Sequence, residues 1–399
     1  AEQADEGTGD VERRLDAFRA LGEVLNLAGR YSEAIEAFES AEQLAKRHGL
    51  SMAVAGFKQK QAELVQRTGR PDDAFEMLQE VLESIRGDTS QEAGEIRATS
   101  LYECAAVRHR QARNDEAIEL GHEAADVATS VGAKLVLARA HMLLHIANVY
   151  LGRPESAEHR DISLPIFEAE GDSVGQGNML NNLGIEAYYA GRWDDAASFY
   201  ERSQEARHRC GDVVGAATSA NNLAEVLSDQ GHHADARSLL ESALADWTAS
   251  GCAVGIALAS SNLGRVAARS GRHDEAERLL SDGVERLASL GADDMADDAR
   301  ARLVENAVLA QRLDEGADRA NELLASDPLP LVVVVTRRLL GLAYALRGQS
   351  ASALEELEAS AKVAADEGFE YERVVTELLR AAVRGRNPSD DIDDAVRRM

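Results

Sequence analysis

Apolar residues recur along this chain at helical spacing, in paired segments separated by short polar turns. Before the turn at 231–233 stand Ala220, Leu223, Ala224 and Leu227. After it stand Ala236, Leu239, Leu240, Ala243, Leu244 and Trp247, so each flanking helix has one apolar face. The same layout repeats from end to end. Its turns begin at Gly29, Gly69, Ala112, Gly152, Gly191, Gly231, Gly271, Gln311 and Gly348, spaced 37 to 43 residues apart. Five residues after each turn start lies a small residue: Ala34, Ala74, Ala117, Ala157, Ala196, Ala236, Ala276, Gly316 and Ala353. A tight turn brings two helix backbones together just beyond it, and a larger side chain there would wedge them apart. The glycines at the turns suit a left-handed helix end. The pattern predicts an all-α chain of about nine helix-turn-helix repeats.

Two features interrupt the regularity. Pro165 falls inside a predicted second helix, where it removes a backbone donor and should kink the chain. Asp327-Pro328-Leu329-Pro330 breaks the junction before the last repeat. The run Leu331-Val332-Val333-Val334-Val335 is β-branched, yet it falls where the ninth repeat's first helix must begin, so we read it as helix. The expected organisation is an N-terminal segment over 1–10, repeats one to eight over 11–326 and a ninth repeat over 327–384. A tail or capping helix would cover 385–399.

A chain of 399 residues exceeds one ordinary core, which a repeat array does not need. Abundant Ala, Leu, Glu, Asp and Arg with only 6 prolines favour closely packed helices. The formal charge of −27 repels a phosphate backbone, which argues against nucleic acid as a partner. Cys104, Cys210 and Cys252 are odd in number, far apart and lack metal or redox spacing, pointing to a reducing, cytoplasmic setting. No stretch is long and apolar enough for a membrane span, and no signal pattern opens the chain. The first residue is Ala rather than Met, so the chain is expected to be either processed or excised from a longer polypeptide, and we favour excision.

These repeats resemble the tetratricopeptide repeat (TPR) family, over roughly residues 11 to 384. Its Leu-Gly pair is matched by Leu21-Gly22, Leu183-Gly184, Leu263-Gly264 and Leu340-Gly341, with Leu223-Ala224 close. Its large second-helix slot is matched by Phe38, Leu78, Tyr200, Leu240, Leu280 and Leu357. The period of about 40 exceeds the usual 34 or so and is similar to the long repeats of kinesin light chains. Gly171-Asp-Ser-Val-Gly175 and Gly211-Asp-Val-Val-Gly215, each followed by Asn-Asn-Leu, resemble the C-terminal repeats of actinobacterial multidomain signalling ATPases. The resemblance implies a right-handed superhelical solenoid with first helices on the concave side, serving as the regulatory part of a larger protein.

Recurring polar residues on first helices are then the binding candidates. Asn182, Asn222 and Asn262 stand nine residues before their turns, with Asn181 and Asn221 beside two of them and Arg302 in the same slot of the eighth repeat. An amide both donates and accepts, so a column of them can pair with an extended peptide backbone. Asn178, Thr218, Glu225 and Arg265 flank the column one helical turn away. The alternative is that the amides bridge adjacent helices. A carboxylate clamp like that of chaperone-binding TPR domains is disfavoured, since the matching slots hold Asn178, Asn181, Thr218, Asn221, Leu258 and Ser261 and no Lys.

Other motifs read as structural. Gly171 to Gly175 spells Gly-x-Ser-x-Gly, but the equivalent segments at 211–215 and 251–255 make Ser173 a loop residue between helices and not a nucleophile. His141 and His145 are four apart without a third ligand, and His232, His233 and His273 occupy turn slots, so packing explains them better than metal. The clusters Asp293-Asp294, Asp297-Asp298, Asp390-Asp391 and Asp393-Asp394 read as helix starts. No phosphate loop appears, so no cofactor or metal is expected, and no acid, base and nucleophile converge as in an enzyme. The expected function is a protein- or peptide-binding interaction or sensor module. Its partner would be a protein segment or another domain of the same polypeptide. The rival readings are a small-molecule effector sensor and a homo-oligomerisation scaffold.

Overall fold

The computed structural model describes residues 8–385 except 28–29, 152 and 154–155. The expected tail beyond 385 and its acidic cluster, the segment 1–7, and the turn positions Gly29, Gly152 and Pro154 lie outside the described residues. Within them are nineteen α-helices and no strand. The first eight are α1 (Thr8–Leu27), α2 (Tyr31–Arg47), α3 (Ser51–Arg67), α4 (Pro71–Ser84), α5 (Gln91–Arg110), α6 (Asn114–Val131), α7 (Lys134–Tyr150) and α8 (Ser156–Glu170). There follow α9 (Ser173–Tyr189), α10 (Trp193–Arg209), α11 (Val213–Asp229), α12 (His233–Ser250), α13 (Ala253–Arg269) and α14 (His273–Ser289). The last are α15 (Asp293–Leu309), α16 (Leu313–Ala325), α17 (Pro330–Leu346), α18 (Ser350–Asp366) and α19 (Glu370–Val383). They form nine helical hairpins and one further helix, so residues 327–384 hold three helices, α17 to α19.

The chain divides at Gly175/Gln176 into two compact units. In unit 1 each helix from α1 to α8 packs on the next, and α3 meets α5, and α5 meets α7. In unit 2 the same holds from α10 to α19, with α11 on α13, α13 on α15, α15 on α17 and α17 on α19. Even-numbered helices make no comparable contact with one another among the described residues. The odd-numbered helices therefore form the inner layer of each unit. Since α15 packs on α17, the Asp327–Pro330 segment does not interrupt that layer.

Glycine and alanine set how close the two helices of a hairpin come. A Cβ on Gly22, Gly184, Gly264 or Gly341 would sit 2.5 to 2.8 Å from Phe38, Tyr200, Leu280 or Leu357, the large residue of the partner helix. The Leu-Gly pair and the large slot are thus two halves of one contact. Each of these large side chains is buried, contributing about 1.5–3 kcal/mol by removal from water. Ala34, Ala74, Ala117, Ala196, Ala236, Ala276 and Ala353 are fully buried in the small slot, and Gly316 is buried there too.

Ala157 is the exception, being exposed. Buried Phe167 fixes the phase of α8 by packing where Gly175 has no side chain, as Trp247 does against Gly255. Ala157 lies ten residues before Phe167, whereas Ala236 lies eleven before Trp247. One residue turns a helix by about 100°, so Ala157 rotates outward and His159, Ser163 and Phe167 are buried instead. The helix α8 runs through Pro165.

Segments 171–175 and 211–215 also have a local explanation. Gly171 and Gly211 take positive φ, the carboxylates of Asp172 and Asp212 accept from the amides of Gly175 and Gly215 at 2.8 and 2.9 Å, and the second glycine admits the preceding helix. Ser173 opens α9 in a helix-helix connection. Leu331 to Val335 are helical, within α17.

Where Ala112 and Gln311 replace the turn glycine, the backbone still adopts φ of 57° and 61°. That conformation costs a residue with a Cβ about 1 kcal/mol. Gln311→Gly should raise unfolding free energy by up to about 1 kcal/mol and Gly271→Ala should lower it by about as much. Urea denaturation of the two variants checks the opposite signs.

Candidate functional site

The 40-residue spacing brings the recurrent asparagines onto α9, α11 and α13, on the inner layer of unit 2. They join on the diagonal rather than slot to slot. The Asn222 amide donates to Asn181 at 3.0 Å, and Asn262 donates to Asn221 at 2.8 Å. Asn262 then accepts from the Arg302 guanidinium, which carries the column to α15. Asn221 and Asn262 are buried, whereas Asn178, Asn181, Asn182 and Asn222 are half-buried. Asn178 accepts from Arg207 at 2.6 Å, and the Thr218 hydroxyl donates to the Val214 carbonyl of its own helix at 3.0 Å. Asn182 has no side-chain partner among the described residues.

Beside the amides runs an ionic network. Arg302 donates to Glu225 at 2.8 Å across two repeats and pairs with Asp298 at 2.8 Å. Arg265 lies 3.2 Å from Asp229, 3.7 Å from Glu305 and 4.0 Å from Glu225. Arg269 pairs with Asp229 and donates to Glu305 at 2.9 Å, while the Tyr188 hydroxyl donates to Asp229 at 2.6 Å. Burial alone would raise the Asp229 carboxyl, but Arg265, Arg269 and the two hydrogen bonds outweigh it and hold it below the ordinary carboxylate value. Arg265 is likewise raised: burial opposes its charge, and Asp229, Glu305 and Glu225 overcome that. Asp229 exposes 10% of its side chain and Arg302 13%, so much of this layer is occupied by the chain's own paired groups.

Of the ten residues singled out in the sequence, contacts join seven: Asn181, Asn221, Asn222, Asn262, Glu225, Arg265 and Arg302, whereas Thr218 bonds only its own helix and Asn182 bonds nothing among the described residues. Asn178 is drawn off to Arg207. Asp229, Arg269, Glu305 and Tyr188 were missed, although charges recur on odd helices six and two residues before the turns. In unit 1, His141 meets His159 with Nδ1 atoms 3.0 Å apart, not His145, which donates to the Ser156 carbonyl at 2.9 Å. Burial, then His159 and His122, push His141 down to about 4. Among the described residues no three ligating side chains gather around a metal position. Unit 1 also has a cavity of about 340 Å³ between α3 and α5, lined by Glu63, Gln66, Arg67, Tyr102, Glu103 and Arg110.

Asn262→Ala leaves the Asn221 oxygen and Arg302 short of a partner and should cost about 1–3 kcal/mol, against under about 0.5 kcal/mol for Asn182→Ala. Chemical denaturation separates them. Asp229→Asn should cost about 3–5 kcal/mol at neutral pH by unbalancing two arginines. Because the folded carboxyl titrates below 3.8, its contribution is present above that pH and lost as pH falls through the depressed value. The gap between parent and variant melting temperatures should therefore close in strong acid.

Residues 215–289 and 334–359 match models of the tetratricopeptide repeat. No curated protein sequence matches the chain. Among solved structures, the apo quorum sensor NprR from B. thuringiensis superimposes with a TM-score of 0.59 at 12% identity, covering 89% of this chain and 99% of that one. A Rap protein complexed with competence and sporulation factor gives 0.57 at 12%, covering 96% and 100%. A signal transduction ATPase with numerous domains and a tetratricopeptide repeat sensor, from Pyrococcus horikoshii, gives 0.58 at 16%, covering 89% of this chain and 55% of that one. Helix pairing and the Gly-to-large contact recur through the described chain as a helical-repeat fold, and residues 215–289 and 334–359 within it are tetratricopeptide repeats.

Proposed function

We propose that the chain is a protein- or peptide-binding sensor module, and that its ligand is a protein segment lying over the inner-layer polar column of unit 2. The observation that carries this reading is the mixture of fixed and spare polar groups there. Asn221, Asn262 and Arg302 are locked by one another, and Asp229 by Arg265, Arg269 and Tyr188, which makes the floor rigid. Asn182 and Asn222 are half-buried beside it; Asn182 is unpaired among the described residues and can meet a backbone without reorganising, while Asn222 is held by Asn181 and Asn221. A preorganised floor lowers the ordering cost of binding, and many modest contacts then add up. Two fold neighbours, a quorum sensor and a protein complexed with competence and sporulation factor, support a sensing role. No described helix is long and apolar enough to cross a membrane. In a larger polypeptide, occupancy would be read by a neighbouring domain.

Self-association is the second reading, favoured by Leu329 and Leu346, which flank α17 with 52% and 48% of their surfaces exposed.

The test is affinity capture from the source cell's lysate with the parent chain and an Asn182→Ala/Asn222→Ala variant, alongside sizing of both. A partner held by the parent and reduced at least tenfold with the equally stable variant supports the column as the binding surface. Equal capture by both overturns it, and capture of only the chain itself, with a concentration-dependent size, favours self-association.

A further inference from the structure

The inner layers of the two units treat equivalent positions differently. In unit 2 the slots nine, six and two residues before each turn hold Asn182, Asn222, Asn262 and Arg302; Glu225, Arg265 and Glu305; and Asp229 and Arg269. Their charges are matched, as described above. In the third repeat, in unit 1, the same three slots hold Glu103, Ala106 and Arg110. The small Ala106 stands where unit 2 has a charged side chain that fills the layer and pairs with its neighbours. A cavity of about 340 Å³ results, within the range of small-molecule sites.

Several groups around this cavity make no hydrogen bond or close ion pair among the described residues. Glu103 and Arg110 form no ion pair with each other, and neither makes a hydrogen bond among the described residues. They lie seven residues apart on α5, about 10 Å along the axis, so one can lie at each end of a small occupant. The Gln66 Nε2 is buried and donates to nothing, while nearby Arg67 is already satisfied by Glu63 at 3.0 Å. Burial, then the charge of Glu63, push the Glu103 carboxyl up to about 7 against the pull of Arg110, Arg139 and Arg67, and an incoming cation would favour its charged form further. An anion alone would set a second negative charge beside Glu103, and a cation alone would leave the buried Gln66 Nε2 without an acceptor. Tyr102 supplies an aromatic wall for an apolar portion.

We propose that this cavity binds a small zwitterion, either a free α-amino acid or a peptide of two or three residues, with Glu103 accepting from its ammonium and Arg110 and Gln66 donating to its carboxylate. The site is separate from the unit 2 column and does not rest on that column being a binding surface.

The experiment is titration calorimetry with thermal-shift measurement on the full chain, using each free amino acid, a panel of di- and tripeptides, and their N-acetylated and C-amidated forms. The expected result is 1:1 binding by at least one zwitterion, weakened at least tenfold by blocking either terminus. Glu103→Gln and Arg110→Gln should each abolish it, and the Asn182→Ala/Asn222→Ala variant should retain it. Binding by amino acids indicates a metabolite sensor, and binding only by the short peptides indicates a peptide site. Exposed Arg110 keeps the test valid should the Glu103 variant fold poorly. No binding by any probe, equal binding by the blocked forms, or undiminished binding by Arg110→Gln would overturn the proposal.

Discussion

Everything in this chain depends on how near two helix backbones can come. All but one of the hairpins close on a small buried residue just past the turn, and most then seat one large side chain against a glycine or alanine of the partner helix. A helix pair built this way still has an uncovered apolar face, so it must stack on the next pair. The glycines at 175, 215 and 255 do for stacking what Gly22, Gly184, Gly264 and Gly341 do inside the hairpins. Because the same close approach recurs about every 40 residues, polar groups at equivalent positions arrive next to one another on the inner layer. The site is a by-product of the packing period.

That period is written plainly in the sequence, which is why helix type, hairpin pairing and even the β-branched start of α17 were legible. Two departures were not. The exposure of Ala157 follows from a one-residue change in phase relative to Phe167, which spacing between turns does not reveal. No helix follows α19 to make a hairpin with it among the described residues, so it lacks the turn signature by which the other helices were found.

For the inner layer, the sequence shows which residues share it but not whom each one meets. Equal spacing suggested a ladder of like slots, whereas the amides connect one step off, Asn222 to Asn181 and Asn262 to Asn221. Arg302 reaches past an entire repeat to Glu225, a pairing between residues 77 apart that periodicity alone does not suggest. In the third repeat the informative residue is Ala106, whose role lies in what it leaves unfilled, and composition gives no weight to a missing side chain.

A second contact departs further from the nearest-neighbour rule. The rings of Trp193, at the start of α10, and Tyr371, in α19, lie 5.4 Å apart in an edge-on arrangement. An array joined only to its neighbours behaves as a chain of springs that can peel from either end. A clasp between the first hairpin of unit 2 and its last described helix turns that chain into a loop. Its last helix then cannot fray without parting a contact made at its beginning, and a pull on one end is felt at the other.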